Sequence, residues 1–347
     1  MSLSVADIDD LVLGTLEHMD RPNFGMIATE LTDYVVMPDM FHEQSARIEN
    51  GKTVRDDLMV SHKKSAQHTK LYAEDSFVME DNLQKIETPW RFTTDNYIYD
   101  YREIPINGGA SKIVDYLSKK RLNALLSLAD KLEYSFFQAP SSSTDEVTPW
   151  GLQYWLKSPG AAETPGFNGG NVTGFSAGPG GLSADTYARW KNYNGRYSTF
   201  DDDGLVSAMK KTARNTAFKA PVRVKGMRSE KITRRIWTGE NVLEQVDLLA
   251  QSKNDNLGTD LGTYGDDGVT FKRTPFTYVP VIDEIFSDDD IFMIDKNTFK
   301  IVILGEGNMM ETGPKDVANR HTVRAIHIDF SWNVHCRNRR HQAWLKK

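Results

Sequence analysis

Cysteine is all but missing: Cys336 stands alone in 347 residues. That excludes an intrachain disulfide framework and any zinc site built on several thiolates, so stability has to come from packing or from assembly. Long apolar runs are missing too. No stretch approaches the roughly 20 apolar residues that a membrane-spanning helix needs. Met1 to Asp10 carries three aspartates where a secretory signal would carry Lys or Arg. A cytosolic, non-membrane product is expected. A strong excess of one charge is missing too, since 42 Lys and Arg stand against 48 Asp and Glu. A formal net charge of -6 argues against a dedicated DNA-coating protein, whose affinity rests on a strongly basic footprint. The signatures of catalysis are absent as well: no Gly-x-x-x-x-Gly-Lys-Ser/Thr cradle for phosphate, and no Ser in a Gly-x-Ser-x-Gly turn. No enzyme activity, cofactor or metal is expected.

What is present begins with length. At 347 residues the chain exceeds the size at which one core keeps growing, so one elongated domain or two subdomains are expected. Leu3 to Phe41 mixes short apolar groups with acids and with Pro22 and Pro38, which stop each helical run early. It reads as an arm with one or two short helices and no core of its own. Glu87 to Ile104, ETPWRFTTDNYIYDYREI, sets Trp90 and Phe92 on one side of a polar break and Tyr97, Tyr99 and Tyr101 at period two on the other. With Thr93 to Asn96 as the turn, this predicts a long aromatic hairpin whose face needs a partner. Ser111 to Gln138 then places Val114, Leu117, Leu125, Leu128, Leu132 and Phe136 on one stripe, with Ser111 as cap and Pro140 as stop. A helix of about 27 residues, roughly 40 Å, follows.

Gly160 to Gly181 is a loop dense in Gly, Ala, Ser, Thr and Pro with little to bury. Beyond it, Asp201 to Ala217 (Leu205, Met209, Ala213) and Glu240 to Ser252 (Leu243, Val246, Leu249) read as amphipathic helices. Phe276 to Val281, Ile291 to Ile294 and Phe299 to Leu304 read as short strands. In the last strand Ile326, Ile328, Phe330, Trp332, Val334 and Cys336 alternate with His327, Asp329, Ser331, Asn333 and His335, which predicts one buried and one solvated face.

The polar clusters have structural explanations. His327 and His335 are eight residues apart on one strand face, about 27 Å, too far to share an ion, and His62 and His68 have no ligand spacing. Asp201 to Asp203 sit where acids favour a helix N-terminus, and Asp288 to Asp290 fill a turn. The basic cluster Arg337, Arg339, Arg340 and His341, with Lys346 and Lys347, is the one patch suited to phosphate or to a neighbour's carboxylates.

Several strings resemble the major capsid proteins of tailed bacteriophages: STDEVTPWGLQYWL (Ser143 to Leu156), GLSADTYARWKNY (Gly181 to Tyr193), NDNLG (Asn254 to Gly258), FKRTPFTYVPVID (Phe271 to Asp283) and ETGPKDVANRHTVRAIHIDFSWNVHCRNRRHQAWL (Glu311 to Leu345). With PWRFTTDNY and the helix after it, the resemblance covers nearly the whole chain from about Leu31. It implies an α+β fold of the Hong Kong 97 capsid type. The expected parts are an N-terminal arm (1–60), an extended loop (61–108), a peripheral subdomain with the spine helix (109–150), an axial subdomain (151–275) and strands returning to the peripheral subdomain (276–347). It implies a shell subunit that self-assembles as pentamers and hexamers around double-stranded DNA, made in the cytoplasm of a bacterial host and located in the virion. Expected partners are itself, portal, possible decoration protein, non-specifically packaged DNA and a separate scaffolding protein, since the hairpin begins too early for a built-in scaffolding segment. An encapsulin-like compartment shell and a tail or baseplate component are the alternatives. The expected inter-subunit contacts are Trp90, Phe92, Tyr97, Tyr99 and Tyr101; Arg337, Arg339 and Arg340 are expected to face DNA or a subunit boundary.

Overall fold

A computed structural model of the chain describes residues 34–42, 46–49, 51–60, 68–71, 83–102, 110–218, 233–252, 269–305 and 307–347. The helices expected before residue 34, His62, the Asn254 to Gly258 string and the end of the aromatic hairpin beyond residue 102 lie outside the described residues. In chain order the strands are β1 (Ala46–Ile48), β2 (Thr53–Met59), β3 (Leu83–Pro89), β4 (Arg91–Asp100), β5 (Gly166–Gly169), β6 (Asn192–Arg196) and β7 (Arg234–Thr238). Then come β8 (Thr270–Phe271), β9 (Thr274–Tyr278), β10 (Ile291–Asp295), β11 (Phe299–Leu304), β12 (Met310–Val317), β13 (Arg320–Cys336) and β14 (Ala343–Lys346). The helices are α1 (Ala110–Phe137), α2 (Leu152–Trp155), α3 (Ser207–Asn215), α4 (Glu240–Ser252) and α5 (Pro280–Ile285). Two compact units divide the chain: Met1–Gly51 with Trp90–Phe136 and Ile301–Asn333, and Lys52–Pro89 with Phe137–Lys300 and Val334–Lys347.

The first unit is a sheet with α1. The strand order is β1-β11-β13-β12, β4 also pairs with β13, and β1 runs parallel to β11. α1 has no Gly or Pro in its 28 residues, and the expected stripe buries Leu117, Leu125, Leu128, Leu132 and Phe136. Three polar residues, Arg121, Glu133 and Ser135, are buried as well, and the two charged ones are paired. Arg121 forks onto Glu311 of β12, at 2.7 and 2.9 Å, with both side chains nearly covered. Glu133 accepts the backbone N–H groups of Val36 and Met37 at 3.0 and 2.7 Å, and these open a helical turn at Met37–His42. The carboxylate therefore acts as an N-cap supplied from another element, where donors and dipole both favour negative charge.

Three expectations need correction. β4 runs without a break through Thr93 to Asn96, pairing in register with His327 to Phe330 of β13. The polar residues make no turn because a long partner strand satisfies their backbone. The hairpin with adjoining strands is instead β2 with β3, Thr53 opposite Pro89 through Met59 opposite Leu83. β13 has 17 residues, and from Phe330 onward both its faces are buried: Ser331, Asn333 and His335 are covered, although Asp329 is exposed. The strand expected over Phe276 to Val281 ends at Tyr278, and Pro280 opens α5, since its fixed φ and missing N–H suit a first helical turn.

The second unit holds a mixed sheet of order β5-β6-β14-β10-β7-β9-β8. Strict alternation splits its side chains. Ile236, Ile291, Met293, Ala343 and Leu345 pack on one face with Leu205, Met209 and Ala213 from the α3 region and with Val242 and Val246 of α4. Trp237, Phe292 and Trp344 lie on the other, in edge or tilted contact with Phe137 and Phe286. α4 has its expected bounds, but Val242 and Val246 take the buried positions and Leu243 and Leu249 are half-buried. The Val242 N–H donates to the carbonyl of Asp288, which sets the rotation of the helix. Asp201 caps the turn before α3 by accepting from Gly204 N at 2.6 Å.

Burial raises the Glu133 carboxyl to about 7, against an ordinary value near 4.5. The folded state thus holds a proton that the unfolded chain has lost between those values, and stability must fall as pH rises through that window. Glu133→Gln should flatten this slope in thermal melts. Glu133→Ala should leave two buried N–H donors unmet and cost about 2 kcal/mol in urea denaturation.

Candidate assembly surface

In β4 the odd-numbered side chains turn inward and the even-numbered ones outward, as the two-residue period requires. Tyr97 and Tyr99 are therefore buried, and Trp90, just before the strand, is covered and donates its Nε1–H to Gly51 O at 2.7 Å. Burial, with Glu311 nearby, holds the Tyr97 hydroxyl far above its ordinary range. Tyr101 is half-buried. These side chains have cover from their own unit, so the reason for placing Trp90, Tyr97 and Tyr99 on a neighbour, the lack of a local partner, does not apply to them. Phe92 differs: 71% of it is exposed.

Phe92 belongs to an open sheet face. Register puts Thr94 beside Asp329 and Met310, and Asn96 beside His327 and Thr312. Across this face Phe92, Ile98 and Met310 are exposed large apolar side chains. The signal for it was legible in principle, because Phe92 and Ile98 fall on even positions and Tyr97 and Tyr99 on odd ones, but the polar Thr93 to Asn96 reads as a turn in isolation.

The β2–β3 ribbon, in the second unit, is also two-faced. Val54, Asp56, Ile86 and Thr88 turn inward; Arg55, Asp57, Lys85 and Glu87 turn outward, with Arg55 and Glu87 in contact at 2.8 Å. At the end of the pairing the cross-strand partners Met59 and Leu83 are 63% and 60% exposed. Adjacent apolar side chains at that exposure are suited to insertion elsewhere.

The basic cluster does not act as one patch. The segment is no free tail, because residues 339–341 form a turn and β14 returns into the sheet between β6 and β10. Arg337 is exposed and grips Asp56. Arg340 is half-buried with its guanidinium 3.7 Å above the Phe167 ring. Arg339 is wholly buried. It donates to the carbonyls of Trp155, Trp190 and Gly170 at 2.6, 2.9 and 3.1 Å and to Asn192 Oδ1 at 3.0 Å. Burial lowers its pKa to about 10, so the group stays charged at neutral pH. The expectation that Arg339 faces DNA or a boundary is therefore wrong: all three guanidinium nitrogens are engaged by the glycine-rich loop and its surroundings. The apolar run Ala343 to Leu345 was the available sign that the chain re-enters the core there. Among the described residues no cluster of three or more His, Cys, Asp or Glu forms a metal-binding group, and no helix is long and apolar enough to cross a membrane.

No family model matches the sequence, and no curated protein matches it. Solved structures do match in shape. The capsid asymmetric unit of cyanophage A-1(L) aligns at a TM-score of 0.62 and 12% identity, over 94% of this chain and 96% of that one. The capsid of a native GTA particle aligns at 0.54 and 9% identity, over 88% and 89%. A structure of Mycobacterium phage Bobi aligns at 0.50 and 9% identity, over 100% and 99%. The likeness is one of fold: the chain has the α+β fold of phage capsid proteins of the Hong Kong 97 type.

Arg339→Lys keeps the charge but loses the planar fork, and Arg339→Ala leaves several buried carbonyls without donors. Unmet buried groups cost about 1–3 kcal/mol each. The Ala variant should lose at least about 3 kcal/mol in urea denaturation or fail to accumulate as soluble protein, and the Lys variant should fall between it and the parent.

Proposed function

We propose that this chain is the major capsid protein of a tailed phage, assembling as pentamers and hexamers into an icosahedral shell around double-stranded DNA. The observation that carries this reading is the fold shared over 94% of this chain and 96% of the cyanophage A-1(L) capsid chain. On it, the residues before the ribbon form the arm, the segment spanned by β2 and β3 is the extended loop, and α1 is the spine helix. Because β2 begins at Thr53, the loop starts inside the 1–60 segment assigned to the arm. Residues 109–136 take the peripheral role and 151–275 the axial one; of 276–347 only 301–333 return to the unit of α1, while 276–300 and 334–347 lie with the residues assigned to the axial subdomain. The protein's place is the virion, after synthesis in the host cytoplasm. Its partners are other copies of itself, a separate scaffolding protein, a portal, possible decoration protein and the packaged DNA.

The contacts between copies are assigned to exposed apolar groups: the Phe92, Ile98 and Met310 face, and the Met59–Leu83 pair at the end of the ribbon. Trp90, Tyr97, Tyr99 and Tyr101 support the Phe92 strand from behind. Arg337 and Arg340 remain candidates for weak, salt-dependent contact with phosphate, which suits DNA that must be pumped in and later ejected.

Negative-stain microscopy and sedimentation of the expressed chain test the assignment. Rings or shells are expected; a 39.3 kDa species that stays monomeric at high concentration with scaffolding protein present would overturn it. Buried anchors of this size each contribute about 2 kcal/mol to association. Phe92→Ser combined with Met310→Ser, and separately Met59→Ser with Leu83→Ser, should therefore melt like the parent yet fail to close shells. Normal shells from both double variants would remove these surfaces from the interface.

A further inference from the structure

A single imidazole joins both strands of the ribbon to their unit. His335 Nε2 lies 3.0 Å from Asp56 Oδ2 on β2, and Nδ1 lies 2.9 Å from Thr88 Oγ1 on β3. The ring edge meets the Trp155 indole of α2. Arg337 closes the site from outside, reaching both carboxylate oxygens of Asp56 at 3.0 Å. Asp56 and Arg337 are the charged groups that meet the ring; Thr88 and Trp155 are neutral. The other seat of the ribbon is apolar: Ile86 lies against Gly180, where a Cβ would come within 2.5 Å of its side chain.

This geometry fixes the protons. An ionised Asp56 only accepts, so Nε2 carries the hydrogen and Nδ1 is left to accept the Thr88 hydroxyl proton. We propose that His335 is a latch that seats the β2–β3 ribbon while its ring is neutral and loosens that seat when the ring takes up a proton. A second proton at Nδ1 would face the Thr88 hydroxyl, forcing it to turn its own hydrogen away in a fully buried position. It would also place a second cation beside Arg337. Burial above all, with Arg337, outweighs the Asp56 attraction and holds the ring below its ordinary value.

The sign follows from linkage. A ring that resists protonation when seated, and protonates at about 6.5 when free, gives a seat at full strength above that value. The seat weakens as pH falls from there toward the depressed value of the latched ring. The Ile86–Gly180 seat does not titrate, so the ribbon stays attached there while its polar seat opens. The latch is a property of one chain and exists whether or not the chain forms shells.

Hydrogen exchange of the full-length protein, read by mass spectrometry at about pH 7.5 and about pH 5.5 and corrected for intrinsic rates, tests it. Residues 53–59 and 83–89 should lose protection on acidification, by at most about tenfold because pH 5.5 lies about one unit below the free imidazole value, while β7 and β10 keep theirs. His335→Gln should abolish the difference between the two pH values. Arg337→Gln, a change at an exposed side chain that leaves the core intact, should shrink it, because the latched ring then protonates more readily. Equal protection of the parent at both pH values would overturn the latch. So would an unchanged pH response in His335→Gln, or, if that variant does not fold, in Arg337→Gln.

Discussion

A full positive charge sealed from water sets the terms for the second unit. Arg339 has to find oxygens for its guanidinium, and apart from Asn192 Oδ1 it finds them on backbone that the sequence makes compliant. Gly169 and Gly170 can approach because they lack side chains; a Cβ on Gly169 would fall 1.9 Å from Asn192 Oδ1, the oxygen that completes the cradle. The constraint then propagates. With its carbonyl held by Arg339, Trp155 donates its ring N–H to Val334 O at 3.1 Å and stands nearly perpendicular to the His335 ring. Trp190, whose carbonyl is also held, donates to Pro179 O at 3.0 Å, beside the Gly180 that seats Ile86. The ribbon thus rests on a loop that is ordered from beneath by one arginine.

Exposed and buried aromatics on β4 divide the labour of the first unit. Tyr97 and Tyr99 fill its interior, while Phe92 and Ile98 on the same strand stay outside. In a monomer such an open apolar face is a liability for aggregation. Under the shell assignment proposed above it would serve contact between copies, and it is built on a strand paired on β13 along its full length, so it is presented rigidly.

The parts of this architecture legible from the amino acids were those with an uninterrupted period. α1, β11 and α4 came out with nearly their true bounds because helix and strand periodicity ran unbroken to a clear stop. What failed to read shares one cause, which is that tertiary context satisfied groups that look unsatisfiable in one dimension. Thr93 to Asn96 resembles a turn until β13 supplies its hydrogen bonds. His335 and Asn333 resemble a solvated face until a second layer covers them. Arg337, Arg339 and Arg340 resemble one patch, yet they are respectively exposed, entombed and stacked on a ring. The β2–β3 ribbon has a weak local pattern, with Asp56 and Thr88 at inward positions, and only the distant His335 explains why polar residues occupy them.

Two buried ionisable groups in separate units carry opposite signs, and the whole chain inherits a property from their opposition. Acid favours the unit that holds Glu133, because burial outweighs the N–H donors of the turn and makes the protonated carboxyl the form the fold prefers, while it subtracts from the hold of His335 on the ribbon. In the range where both respond, a global melt reads only the sum of the two contributions, whereas the distribution of order along the chain shifts, steadier around Glu133 and looser at the ribbon that His335 seats. Such a molecule answers acid at two addresses with opposite sign.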